Sequence, residues 1–135
     1  MENYEQQEPD YDKWKLIEEK YVKAQNMESC PDKASFPYPE EGDVIDEEKS
    51  VRWNREEVQR QRMAYLEEAK RLRRLRNEKI TEAVDEAAAW IAEETGLTPD
   101  KAMILWAFVD QKGHAYGETF MLMYEYIPLI RELLR

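Results

Sequence analysis

The stretch that decides the fold is Ser50–Gly96, SVRWNREEVQRQRMAYLEEAKRLRRLRNEKITEAVDEAAAWIAEETG, which lacks proline and has glycine only at its last position. Apolar residues recur at intervals of seven at Val51, Val58, Tyr65 and Leu72. This spacing predicts one helix of about 44 residues, roughly 66 Å long. We expect Ser50 to cap its start and Gly96 to end it in a left-handed conformation. A break is expected near Asn77, where polar residues interrupt the apolar face.

The same helix lacks the second apolar position of a two-stranded coiled coil. Such a seam needs two apolar residues in each heptad. Here the second position holds Asn54, Gln61 and Glu68. We therefore expect an exposed helix whose C-terminal half packs on the rest of the chain. Self-association through this helix, as a homodimer or larger assembly, stays open as an alternative.

Shorter helices are predicted on both sides. Residues 10–26 place four apolar side chains on one helical face, at Trp14, Ile17, Tyr21 and Ala24. Thr98 and Pro99 are typical of a helix start, and residues 102–109, AMILWAFV, are apolar all round, which predicts burial on most sides. A last helix is expected from about 114 to 135, kinked or divided at Pro128. Trp90 and Trp106 are the expected core anchors, and no stretch has the alternation of a β-hairpin.

The predicted fold class is therefore all-α: a long central helix with a C-terminal helical bundle, a short N-terminal helix and a proline-rich acidic linker. Residues 27–50 are the linker, because Pro31, Pro37 and Pro39 oppose helix and central strand. Phe36 and Tyr38 could pin it to a surface. We divide the chain into an N-terminal arm, 1–50, and a helical domain, 51–135.

Charge is distributed unevenly along the chain. The 135 residues include 30 acidic and 20 basic ones, for a formal net charge of -10. Residues 1–51 carry -9, residues 52–79 carry +5 and residues 80–135 carry -6. Acidic portions attract basic grooves and repel nucleic acid. Segregated charge therefore indicates a binder with two different faces.

Two clusters are the candidate partner-binding residues. The acidic cluster comprises Glu40, Glu41, Asp43, Asp46, Glu47 and Glu48. The basic cluster comprises Lys70, Arg71, Arg73, Arg74 and Arg76. The acidic cluster is either a solvated linker or a contact for a basic partner. The basic cluster is either a solvated face paired with Glu67, Glu68 and Glu78, a contact for an acidic partner, or a nucleic-acid site, since arginine forks match carboxylates and phosphates.

No arrangement typical of catalysis or metal binding is visible. The four glycines are scattered and form no phosphate loop. Zinc needs three or four Cys or His ligands, whereas this chain has only Cys30 and His114, which we interpret as incidental and structural. We expect no enzyme activity, no metal and no cofactor. One cysteine, no apolar run of about 20 residues and no signal-peptide pattern at the N-terminus predict a cytoplasmic protein without membrane association.

Two stretches, SVRWNREEVQRQ (Ser50–Gln61) and GHAYGETF (Gly113–Phe120), resemble small helical proteins carried by phages and conjugative elements of Gram-positive bacteria. That group includes anti-CRISPR and anti-restriction proteins, many of which act by stoichiometric binding. Some place carboxylates where nucleic-acid phosphates would lie. The resemblance implies this setting and assigns no residue a role.

The leading hypothesis is a non-enzymatic protein that binds another macromolecule, as a mobile-element or phage inhibitor of a host defence nuclease. The partner would be a protein, such as a nucleic-acid-guided nuclease. The alternatives are a nucleic-acid-binding regulator that uses residues 70–76 and a self-associating assembly protein.

Overall fold

The computed structural model describes residues 8–46, 51–113 and 118–135. Its elements, in chain order, are α1 (Tyr11–Gln25), β1 (Val44–Asp46), β2 (Val51–Arg52), α2 (Arg55–Thr95), α3 (Pro99–Gly113) and α4 (Thr119–Leu133). The predicted helical architecture, with its long central helix, is confirmed. No helix in the described part of the chain is long and apolar enough to cross a membrane.

Two compact units share the chain. The bundle unit consists of the described residues of 1–25 and 79–135, and the linker unit consists of the described residues of 26–78. Helix α2 begins in the linker unit and ends in the bundle unit. The sequence division into 1–50 and 51–135 separates α1 from the C-terminal helices, whereas the contacts group them together.

The bundle unit is built around stacked aromatic rings. Trp14 of α1 stacks on Trp90 of α2, with ring centroids 4.2 Å apart. Its ring also lies 4.7 Å from Phe120 and 6.0 Å from Trp106. The Trp14 Nε1–H donates to the Phe120 carbonyl oxygen over 2.8 Å. Trp90 and Trp106 are core anchors as predicted, and Trp14 joins all four helices at one point.

A buried ion pair fastens α4 to the end of the long helix. The Arg131 guanidinium donates to the backbone carbonyl and to Oε2 of Glu94, both over 2.6 Å. The Arg131 side chain is only 5% exposed. Glu94 lies just before the end of α2, so this pair holds the last turns of α4 against the last turn of α2.

Several helix boundaries confirm the sequence predictions. The Asp10 carboxylate accepts from the Lys13 amide over 3.2 Å and starts α1. Thr98 accepts from the Lys101 amide over 3.4 Å at the start of α3. Gly96 has φ of 82° and ends α2, because a residue without Cβ adopts this conformation at little cost.

The predicted start and break of the long helix are wrong. Helix α2 begins at Arg55, since residues 51–52 form β2, and the Asn54 side chain caps it by accepting from the Glu57 amide over 2.9 Å. Ser50, the predicted cap, lies outside the described residues. The helix continues through Asn77 without interruption.

The C-terminal helices can be compared with the predictions in detail. Helix α3 was predicted to be buried on most sides, and it has an exposed apolar side on which Ile104 is 70% and Phe108 55% exposed. Its face through Ala102, Trp106 and Val109 lies in the core, and Met103 and Leu105 pack partly buried against it. Pro128 lies inside α4, which is not divided there, and the kink that was predicted as the other outcome stays a prediction. The predicted helix start near His114 lies outside the described residues.

Candidate functional site

Part of the acidic cluster lies on a well-defined turn of the linker unit. The Asp43 amide donates to the Glu40 carbonyl over 3.1 Å, and the Glu40 amide donates to Asp43 Oδ2 over 2.9 Å. Gly42, at the third position of the turn, has φ of 88°. A four-residue turn with positive φ there favours glycine. The acidic turn, Glu40–Asp43, is therefore specified by its own sequence.

A short antiparallel ladder fastens the acidic turn to the start of α2. The Gly42 amide donates to the Trp53 carbonyl and the Trp53 amide to the Asp43 carbonyl, both over 2.9 Å. Beyond them β1 pairs with β2, with an irregularity between Val44 and Asp46. The Arg52 guanidinium donates to the Gly42 carbonyl over 2.9 Å. A two-stranded sheet therefore lies here within the otherwise helical fold, although no stretch has the alternation of a β-hairpin.

The proline-rich strip before the turn is attached to the side of α2. Arg62 Nε donates to the Pro39 carbonyl over 2.9 Å, and its guanidinium lies 4.9 Å from the centre of the Tyr38 ring. The Tyr38 and Tyr65 rings meet edge to face at 5.2 Å. Tyr38 therefore pins the strip to a surface, as its position between prolines suggested.

These contacts place the acidic residues on a supported loop. Glu40, Glu41 and Asp43 are exposed. Asp46 lies in β1, and Glu47 and Glu48 lie outside the described residues. The structure therefore brings together three of the six predicted acidic residues, on one turn beside the start of α2.

The basic cluster lies on the part of α2 that belongs to the linker unit, and at least two of its five side chains lie beside a carboxylate. Lys70 Nζ lies 3.7 Å from Glu67 Oε1. Arg71 donates to both carboxylate oxygens of Glu68, with Nε–Oε2 at 3.0 Å. This hydrogen bond lowers the pKa of Glu68 and raises the pKa of Arg71.

The remaining arginines of the cluster differ in their surroundings. Arg73 Nε donates to the Ala69 carbonyl over 3.3 Å, one turn earlier on the helix. Arg74 is exposed and Arg76 is half-buried. Helical geometry places Lys70 and Arg74 on one face, because residues four apart are neighbours. The five basic residues are therefore not one continuous face.

Sequence reasoning missed an exposed apolar element on α2 beside the basic cluster. Met63 is 58% and Leu66 40% exposed. With Lys70 they follow the spacing of one helical face, at steps of three and four. The signal was present in the sequence, but the stripe through Val58 and Tyr65, on the opposite side, dominates the apolar pattern.

The bundle unit holds a groove between α1 and α2. It encloses about 610 Å³, and its apolar lining includes Leu16, Ala89 and Trp90. On its rim Lys13 pairs with Glu93 at 3.0 Å, and Lys20 pairs with Glu86 at 2.9 Å. These two rim lysines are therefore already neutralised by α2.

The described residues show no arrangement of three or more His, Cys, Asp or Glu side chains that could hold a metal ion. Cys30 is exposed, and His114 lies outside the described residues. The expectations that the protein has no cofactor and is not an enzyme stay predictions.

Comparison with known proteins adds no relative. No family model matches the chain, and neither a curated protein nor a solved structure matches it. The resemblance to accessory proteins of phages and conjugative elements therefore stays a prediction.

Proposed function

We propose that this chain acts without catalysis, by binding a cytoplasmic macromolecule, and that its target is a host defence nuclease guided by nucleic acid. In this proposal it is an anti-CRISPR type inhibitor from a phage or mobile element. The acidic turn enters a basic groove that otherwise receives phosphates. The exposed arginines of the basic cluster supply a second contact to an acidic part of the same partner.

The observation that carries the proposal is the way the acidic turn is held. Glu40 and Glu41 are exposed on a turn that is closed by one backbone bond and by the Asp43 carboxylate, which accepts from the Glu40 amide, and the turn is paired with Trp53. A flexible acidic linker would lose conformational entropy when a partner orders it, whereas a preformed turn loses much less. A fixed turn backbone can therefore present its negative charges within a limited region, as a row of phosphates does.

Electrostatics favours a protein partner for this turn. Several carboxylates close together attract a basic groove and raise the rate of association with it. The same charges repel nucleic acid. Around the basic cluster, Glu67 and Glu68 stand beside Lys70 and Arg71, which weakens that segment as a phosphate site.

The test is to mix the purified protein with a panel of guide-loaded nucleases. Binding is measured on a sizing column, and cleavage of target DNA is measured with increasing amounts of protein. We expect one nuclease to co-elute with the protein and to lose cleavage. An absence of both effects across the panel would contradict the proposal.

Matched charge reversals test the role of the acidic turn. Glu41→Lys changes an exposed carboxylate on the turn, and Glu28→Lys makes the same charge change at an exposed position elsewhere in the linker unit. We expect Glu41→Lys to weaken binding of the nuclease about tenfold and Glu28→Lys to change it less than about threefold, because a charge at the contact is worth more than one at a distance. Equal effects would show that net charge, not the turn, controls binding.

The alternative of a nucleic-acid-binding regulator gives a different result. Phosphate contacts by residues 70–76 would produce mobility shifts that weaken steeply with salt. Shifts that disappear in Arg73→Glu/Arg74→Glu, without any effect on a nuclease, would replace the proposed function with this one.

A further inference from the structure

The exposed face of α2 contains a hollow with a regular pattern of lining residues. The hollow is shallow and open to solvent, and it is lined by Glu56, Gln59, Arg60 and Met63. These positions have the spacing i, i+3, i+4 and i+7. Four residues on one helix form the hole that receives a single side chain of a facing helix in knobs-into-holes packing.

We propose that this hollow receives Leu66 of a second copy of the chain, so that two α2 helices pair in antiparallel orientation about a two-fold axis at Met63. This inference does not depend on the proposed function. In this register a residue that lies a given number of positions before Met63 in one copy faces the residue that lies the same number of positions after Met63 in the other copy. The centre of the hollow, between Gln59 and Arg60, then lies opposite Leu66. Leu66 is an exposed apolar side chain without an obvious role in the single chain.

Charge complementarity supports a second copy as the occupant. Glu56 lies seven residues before Met63 and Lys70 lies seven residues after it. An antiparallel pair centred on Met63 therefore places Glu56 of each copy opposite Lys70 of the other, twice by symmetry. Arg60 falls beside Glu67 of the second copy in the same register. The exposed Lys70–Glu67 pair at 3.7 Å is weak enough to exchange partners.

The orientation follows from the basic cluster. In a parallel pair, two copies of residues 70–76 would lie side by side and repel. In the antiparallel pair, Arg73 of one copy is about 20 residues, or about 30 Å, from Arg73 of the other. That separation exceeds the screening length of about 8 Å at physiological ionic strength. Arg73 of the second copy instead lies level with Trp53, the residue that holds the acidic turn.

Cysteine cross-linking tests the axis directly. Cys30 is first replaced by serine, because it is exposed. Met63→Cys is then compared with Asn77→Cys, an exposed position on the same helix. In the proposed pair the two sulfurs introduced by Met63→Cys meet at the axis, whereas those introduced by Asn77→Cys lie about 42 Å apart. We expect mild oxidation to produce a disulfide dimer only from Met63→Cys. Equal cross-linking at both positions would indicate a parallel pair and overturn the proposal.

A charge exchange tests the register in the Cys30→Ser chain. We expect sedimentation equilibrium to give twice the chain mass of 16.2 kDa. Glu56→Lys and Lys70→Glu should each raise the dimer dissociation constant about tenfold, because two contacts turn from attraction to repulsion. The double variant should restore dimerisation, since the exchanged charges meet again across the axis. A monomer mass at a chain concentration of about 100 μM, about 100 times a micromolar dissociation constant, would refute the proposal. So would a double variant that fails to restore pairing while circular dichroism shows that its helices are intact.

Discussion

Replacing Trp14 tests whether α1 is an integral part of the bundle unit. The side chain is 2% exposed, stacks on Trp90 and contacts Phe120. Truncating a buried tryptophan to alanine costs about 3–5 kcal/mol. It also leaves the Phe120 carbonyl without the donor that Trp14 Nε1–H supplies, which adds about 1–3 kcal/mol if no water replaces it. We therefore expect Trp14→Ala to lower the free energy of unfolding by at least about 4 kcal/mol.

This loss is a large part of the total stability of a small domain, which is about 5–15 kcal/mol. The assay is urea unfolding followed by tryptophan fluorescence, because Trp90 and Trp106 report on the bundle unit. Trp14→Phe separates the two contributions, since it keeps an aromatic ring and removes the hydrogen-bond donor. We expect it to cost about 1–3 kcal/mol.

Leu16→Ala is the matched control on the same helix. Leu16 is 60% exposed, and its truncation should change the free energy of unfolding by no more than about 0.5 kcal/mol. A loss of less than about 1 kcal/mol in Trp14→Ala would refute the central place given to Trp14. So would a control variant that is destabilised equally.

Three other predictions concern single interactions. Arg131→Ala should lower the free energy of unfolding by about 3–5 kcal/mol, because it strands the mostly buried Glu94 carboxylate; a urea-unfolding loss below about 1 kcal/mol would show that the pair is dispensable. Asn54→Ala should lower the free energy of unfolding by about 1 kcal/mol, because it removes the cap on the Glu57 amide. Amide hydrogen exchange in the first turn of α2 should become faster in this variant, and unchanged exchange would contradict the assignment of the cap. Burial and, to a smaller extent, nearby acidic groups raise the pKa of Tyr124. The stability that neutral Tyr124 contributes is therefore fully present below the ordinary tyrosine pKa of about 10, and it is lost as the pH rises through the pKa of Tyr124 in the folded protein. Tyr124→Phe should flatten this alkaline loss in thermal melts, and an unchanged pH profile would contradict the assignment.

The helices and most of their ends could be predicted because their determinants are local. The spacing of Trp14, Ile17 and Ala24 specifies the buried face of α1, and Gly96 ends α2 through its own backbone freedom. The start of α2 could not be predicted in the same way. Residues 51–52 leave the helical pattern because they pair with residues that precede them in the linker, and such long-range pairing leaves no local periodic signal.

The composition of α3 was also misleading. An all-apolar run predicts burial on most sides, yet Ile104 and Phe108 remain exposed. A small bundle offers neighbours to only part of the helix surface, and the number of neighbours is a property of the tertiary structure. Hydrophobicity alone therefore identifies the core-facing side of α3 without excluding an apolar outer side.

The candidate surfaces were predictable in composition but not in arrangement. The acidic and basic clusters are visible in the sequence, and the structure confirms neither as a binding site. What the sequence could not show is that Trp53 pairs with the acidic turn and Arg62 with the strip before it. Nor could it show that Glu67 and Glu68 lie beside Lys70 and Arg71.

The most direct test of the central claim is titration of a guide-loaded nuclease with the purified protein, with cleavage of target DNA as the readout. For a stoichiometric inhibitor, we expect cleavage by the susceptible nuclease to fall in proportion to the protein added and to be abolished at a fixed low molar ratio. Cleavage that is unchanged by a large molar excess, for every nuclease in the panel, would contradict the proposed inhibition.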